Sequence, residues 1–139
     1  MFKRPKKLLV VDNDVEVLIA LERVLEEAGF DTCTSWSLPE GLDALGVEQF
    51  DLLLVGDHPP EVNCEKLLKT LRKESVTVPC IVLHSTARHP FAVPYLRHLG
   101  AAGVACKWDY EEVVNTVKDC LRQPLTAAEA MWRVVRPAS

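Results

Sequence analysis

The stretch Asp51-Leu52-Leu53-Leu54-Val55-Gly56-Asp57-His58-Pro59-Pro60 begins with an acid, runs through four consecutive apolar residues and ends in a proline-bound loop. An apolar run this short and unbroken predicts a strand over 52–55 covered on both faces. Strands of that kind belong to parallel sheets held between two layers of helices, so this segment decides the fold class. The flanking sequence then has to supply the crossover helices.

It does so in both directions. Toward the N-terminus, 7–11 reads as a compact strand ending in acids. A helix follows over 15–28, with Leu18, Leu21, Leu25 and Ala28 on one face and Gly29-Phe30 as its stop. A second strand over 31–35 leads to a short helix over 39–45, with Pro39 suitably placed in the first turn. Toward the C-terminus, a helix over 62–73 turns Leu67, Leu68 and Leu71 inward, and Val78-Pro79 opens a fourth strand over 80–84. The next helix, 90–99, contains Pro94, which is expected to kink or shorten it. Gly100-Ala101-Ala102-Gly103 enters a short fifth strand over 104–106, and Asp109 is placed to cap a last helix through Leu121.

Five strands alternating with five helices make an α/β protein with a doubly wound parallel sheet. In such sheets, chemistry gathers beyond the carboxyl ends of the strands. Here that rule selects Asp12, Asn13 and Asp14, then Gly56 and Asp57, then His84 and Ser85, and finally Lys107.

The composition narrows the function classes. The chain has 139 residues, enough for one domain with a real core, and a formal net charge of -4 that gives no reason to expect nucleic acid as a direct partner. The basic start Lys3-Arg4-Pro5-Lys6-Lys7 reads as a solvated lead-in to the first strand. No apolar run is long enough for a membrane span and no secretory signal is evident, so the expected setting is cytoplasmic, with no membrane partner. Cys33, Cys64, Cys80, Cys106 and Cys120 are an odd number with no CxxC pair, a pattern that suits buried thiols in a reducing compartment.

Val10-Val11-Asp12-Asn13-Asp14 after the first strand, Asp51 through Pro60 with Glu61-Val62-Asn63-Cys64-Glu65, and Gly100-Ala101-Ala102-Gly103 with Lys107 together resemble the receiver domains of two-component response regulators. The resemblance covers 7–121 and implies a flavodoxin-like (βα)5 sheet of strand order 2-1-3-4-5, a receiver-like domain over 1–123 and a tail over 124–139. Receivers are signalling modules that accept a phosphoryl group on an aspartate from a histidine kinase. An acid pair holds magnesium, a hydroxyl grips a phosphoryl oxygen, and a lysine offsets the developing charge.

Carried over residue by residue, that pattern is incomplete. Asp12 and Asn13 match the acid pair, and Asn13 lacks the charge that magnesium favours. Asp14 is one step further on, with helix capping as its more ordinary role. Magnesium binding is therefore expected to be weak, carried by Asp12 and Asp57, and no other cofactor is implied. The anchors Asp51, Pro60 and Asn63 place Gly56 at the acceptor position, where there is no side chain to phosphorylate. Asp57 becomes a fallback acceptor only if the strand carries a one-residue bulge.

Counting back from Lys107 puts Ser85 at the hydroxyl position, whereas counting forward from Pro79 puts His84 there; Thr86 would also keep a hydroxyl. Val104 replaces the aromatic switch residue of the fifth strand. Trp108 replaces the proline after Lys107, so the loop is expected to run differently. Trp108 either presents an apolar surface at the face where receivers meet partners or packs over the last helix. Without an acceptor aspartate, Lys107 is free to pair with Asp12 or Asp57. A transition-metal site built from His58, His84, Asp12 and Asp57 has no motif spacing behind it, and two exposed histidines are the simpler account.

Four departures bear on one mechanism. The expectation is a degenerate receiver, a pseudo-receiver, that is not an enzyme and binds a protein partner without phosphorylation. A histidine kinase or another signalling protein is the partner expected. The alternative is a working receiver phosphorylated on Asp57 with magnesium. In the tail, Thr126-Ala127-Ala128-Glu129 resembles a capping box, and Ala130, Met131, Trp132, Val134 and Val135 suit a short helix before Pro137. Docking on the receiver, a homodimer contact and the start of a linker all remain open for it.

Overall fold

A computed structural model describes residues 4–57, 63–85 and 92–122. In chain order the elements are β1 (Lys7–Val11), α1 (Val15–Glu27), β2 (Asp31–Ser35), α2 (Leu38–Val47), β3 (Leu52–Gly56), α3 (Cys64–Lys73), β4 (Cys80–His84), α4 (Ala92–His98), β5 (Gly103–Cys106) and α5 (Tyr110–Cys120). All sheet pairings are parallel and the strand order is β2-β1-β3-β4-β5.

Alternation along the strands sorts the core into two layers. Leu8, Val10, Leu52, Leu54, Ile81, Leu83 and Ala105 face α1 and α5, which contribute Leu21, Leu25, Val113 and Val117. Leu9, Val11, Leu53, Val55, Cys80 and Val82 face the other way, against Leu67, Leu68 and Leu71 of α3 and Leu96 of α4. The central strand β3 is buried along its whole length, because both side-chain rows have a helical layer to enter.

The helix boundaries follow their caps. Asp14, Ser37, Asn63 and Asp109 begin α1, α2, α3 and α5, each accepting a backbone N–H of the first turn. At the end of α1, Gly29 takes φ of +97°, and Gly29 and Phe30 donate to the Glu26 and Leu25 carbonyls, closing a Schellman turn. Pro94 sits in the first turn of α4, where its missing N–H breaks no bond, and the helix is only seven residues long. The helix expected over 39–45 begins one residue earlier and ends two later.

Two expectations need correction. The cysteines form no disulfide, but only Cys64 and Cys80 are buried and the other three are half-buried. Burial pushes the Cys80 thiol up to about 12. His84 is half-buried rather than exposed, because it shares the strand face of Val82, which packs toward α3 and α4. His58, Thr86, the start of the helix expected from Val62, Pro90 and the tail from Pro124 lie outside the described residues. Among the described residues, no helix is long and apolar enough to cross a membrane.

Candidate functional site

The even register of the sheet sets the site. Val11 pairs with Val55 and Gly56 with Leu83, so Asp12, Gly56 and Leu83 stand level, and the residues after β4 lie just beyond them at the carboxyl edge. Asp12 follows Val10 and Leu8 onto the α1/α5 side, and Lys107 follows Ala105 onto the same side. Their side chains meet. Lys107 Nζ donates to Asp12 Oδ2 at 2.7 Å, with both side chains almost wholly buried. The other carboxylate oxygen, Oδ1, accepts the Asp14 backbone N–H at 2.8 Å.

Gly56 lies under this pair. A Cβ built on Gly56 would collide with Asp12 Oδ2, and would stand 2.7 Å from Asp12 Cγ and 3.0 Å from Lys107 Nζ. The ion pair therefore occupies the space that a side chain at position 56 would need. Such close approach, rather than an unusual backbone angle, is what requires glycine here.

Asp57 is placed differently. The ladder between β3 and β4 runs without a bulge through Gly56, and the Asp57 N–H continues it to the Leu83 carbonyl at 2.8 Å. Alternation then sends the Asp57 side chain to the α3 side, where Oδ1 accepts the Cys64 N–H at 3.3 Å. Asp12 and Asp57 thus stand on opposite sides of the sheet edge. Of the two partners open to Lys107, the structure brings Asp12 to it.

The remaining positions divide by the same rule. His84 pairs with Cys106, so the next step along both strands brings Ser85 level with Lys107 and turns it to the α1/α5 side, where it is exposed. His84 belongs to the opposite side. Asn13 and Asp14 are exposed, and Asp14 caps α1 by accepting the Glu16 N–H at 2.9 Å. Val104 pairs with Val82 and is half-buried, while Trp108 is 51% exposed rather than packed away. Tyr95 and Tyr110 are also exposed.

The reach from α4 to α3 is a feature the sequence reading missed. The Tyr95 hydroxyl donates to Glu65 Oε1 at 2.8 Å, and Lys69 donates to the same oxygen at 3.1 Å. These bonds hold the Glu65 carboxyl below its usual range, the Tyr95 bond being the larger cause. Only the Glu65/Lys69 spacing of four residues was visible as a local signal. Among the described residues, no group of three or more His, Cys, Asp and Glu side chains is arranged to hold a metal ion.

Comparison with known proteins agrees with this architecture. The family model for the response regulator receiver domain matches residues 8–118. The transcriptional regulatory protein GlrR of Escherichia coli is 27% identical over 133 residues, covering 96% of this chain and 30% of GlrR. A CpxR homolog of Haemophilus influenzae is 40% identical over 82 residues, covering 59% of this chain and 34% of the relative. This chain therefore spans about a third of the length of these two regulators.

Among solved structures, the receiver domain of Francisella response regulator 1452 superposes with a TM-score of 0.75 at 22% identity, covering 83% of this chain and 95% of the other. The chemotaxis protein CheY4 of Vibrio cholerae gives 0.75 at 22% identity, covering 85% and 100%. At that identity the structural likeness speaks for the fold, and the sequence match speaks for the family. On both grounds the chain belongs to the response regulator receiver domain family of two-component signalling.

Proposed function

We propose that this receiver is a degenerate one, a protein-interaction module of two-component signalling that works without phosphorylation of its own chain. The observation that carries the reading is the buried Asp12–Lys107 ion pair lying across Gly56. In a receiver that accepts a phosphoryl group, the acid and the lysine serve an anion at the position of Gly56. In this chain they satisfy each other. Neutralising a buried lysine with a buried carboxylate removes the unpaired charge that would otherwise draw an anion in.

The donor set also fits magnesium poorly. One carboxylate faces the pocket and both its oxygens are engaged, Asn13 is exposed, and Asp57 faces the other side of the sheet edge. A hard divalent ion favours several anionic oxygens together.

The partner in this reading is a protein, a histidine kinase or another signalling protein, in a cytoplasmic setting. It is met at the face around α4, β5 and α5, where Trp108 and Tyr110 are exposed and Val104 is half-buried. Exposed aromatic side chains supply large contact area at low entropic cost, which suits interface centres. Residues 1–123 act as the receiver unit, with 124–139 as an appendage.

An amide NMR titration with magnesium and then beryllofluoride tests the reading, alongside intact-mass analysis after incubation with a small-molecule phosphoryl donor. The expected result is no saturable shift at Asp12, Ser85 and Lys107 and no phosphoryl adduct. An adduct or saturable shifts abolished by Asp57→Ala would make Asp57 the acceptor and end the proposal. A receiver that carries an acceptor aspartate, treated in parallel, is the positive control for the reagents.

A further inference from the structure

Away from the Gly56 pocket, the side of α1 turned toward the loop after β2 carries apolar side chains that no described residue covers. Ile19 is 63% exposed, Trp36 62% and Val15 46%. Val15, Ile19, Glu22 and Glu26 recur at helical spacing on one stripe of α1, while Val17, Leu18, Leu21 and Leu25 take the buried face. The stripe is apolar in its first turns and acidic in its last. Trp36 and Glu40, the latter in the first turn of α2, stand across from it and close a groove of about 320 Å³. A second hollow continues from Ile19 past Glu26 and Glu27, with Arg23 as the one base among its lining residues. Among the described residues, no ion pair engages Glu22, Glu26 or Glu40.

Two properties of this surface select its occupant. A cluster that includes a mostly exposed tryptophan gains by burial against another apolar surface. The carboxylates that border it lack cations, so an approaching surface gains by bringing bases and loses by bringing acids. A second copy meeting groove to groove would set Glu22, Glu26 and Glu40 against carboxylates, and the net charge of -4 on each chain would add to the repulsion. The apolar positions lie one turn apart on a 13-residue helix, a row that suits another helix laid along it.

We propose that this groove docks an amphipathic helix of a partner protein, about three turns long, with an apolar row against Val15, Ile19 and Trp36 and with lysine or arginine side chains opposite Glu22, Glu26 and Glu40. The surface shares no residue with the Gly56 pocket or with the α4–β5–α5 face, so the inference does not depend on the function proposed above. Docking would cover the exposed tryptophan and neutralise the acids around it.

The test is an amide and indole NMR titration of the full chain with a synthetic amphipathic peptide, leucine on one helical face and arginine along both borders of that face. The same peptide with glutamate for arginine is titrated in parallel. Expected are saturable shifts at Val15, Ile19, Thr34 and the Trp36 indole with the arginine peptide, weakening as salt is raised, and none with the glutamate peptide. Ile19 is exposed, so Ile19→Ser spares the core and should remove these shifts. A Glu22→Lys, Glu40→Lys double variant should bind the arginine peptide about tenfold more weakly and acquire binding of the glutamate peptide. The absence of saturable shifts in the groove, equal binding of the two peptides, or unchanged binding by Ile19→Ser would overturn the proposal. Groove signals of the peptide-free chain that move with protein concentration would overturn it in favour of a second copy. Groove signals that move in peptide-free Trp132→Ala would overturn it in favour of the chain's own C-terminal segment.

Discussion

Asp12 and Asp57 stand at the ends of neighbouring strands and have opposite surroundings. Asp12 is fully buried on the α1/α5 side, held by Lys107 and by the Asp14 N–H. Asp57 is half-buried on the α3 side and supports the start of that helix through the Cys64 N–H. One residue of offset separates the position where a carboxylate would face Lys107 from the position where this chain has one. Because strand side chains alternate, a step of one residue changes the helical layer a group meets, and with it every charge around that group.

The sharpest way to break the comparison is to remove one member of the buried pair. Lys107→Met leaves the Asp12 carboxylate buried without its ammonium partner, and should cost about 3–5 kcal/mol in urea unfolding. Combining it with Asp12→Leu should recover much of that loss, since an uncharged pair carries no desolvation penalty. A small loss in the single variant would mean that the pair contributes little to holding this side of the edge.

Next in size is Gly56→Ala, which places a methyl against Asp12 and Lys107. Overpacking of this kind should cost about 1–3 kcal/mol, less if Asp12 is also replaced by alanine. Additive effects in the double variant would show that the two sites do not share the space. The two acids can then be compared by their capping work. Asp57→Ala and Asp14→Ala should each cost ~1 kcal/mol through loss of an acceptor for a helix-start N–H. A much larger effect at Asp57 would point to a role beyond α3.

The smallest change is a control on the α3 side, far from the edge. Ser75 follows α3 at φ of 56°, and Ser75 and Val76 donate to the Arg72 and Leu71 carbonyls, so a non-glycine residue holds a left-handed turn. Ser75→Gly should raise stability by up to ~1 kcal/mol by relieving that conformation. Thermal unfolding would register it as a modest upward shift in Tm, with no change in the pocket's NMR signals.

Much of this molecule was legible before its structure. The run Leu52 to Val55 announced a strand covered on both faces, and Gly29, Asp14 and Asp109 marked helix ends, because these signals are local and backbone-driven. That position 56, at the end of the central strand, carries glycine was legible too. The partner of Lys107 was not, since Asp12 is 95 positions away and Asp57 was an equally good candidate in charge. The Tyr95–Glu65 bond was hidden for the same reason, joining two helices 30 residues apart. His84 was misjudged as exposed because its burial depends on which helical layer its strand face meets.

By itself, the sequence determined the order of elements, the parallel sheet and the absence of a carboxylate at position 56. Those follow from hydrophobic period, turn chemistry and residue identity, all readable within a few residues. Only the tertiary structure decided that Asp12 and Lys107 join across Gly56 while Asp57 turns to α3. That outcome depends on strand register and on which face each residue presents, and a sheet acquires both only when distant segments pair.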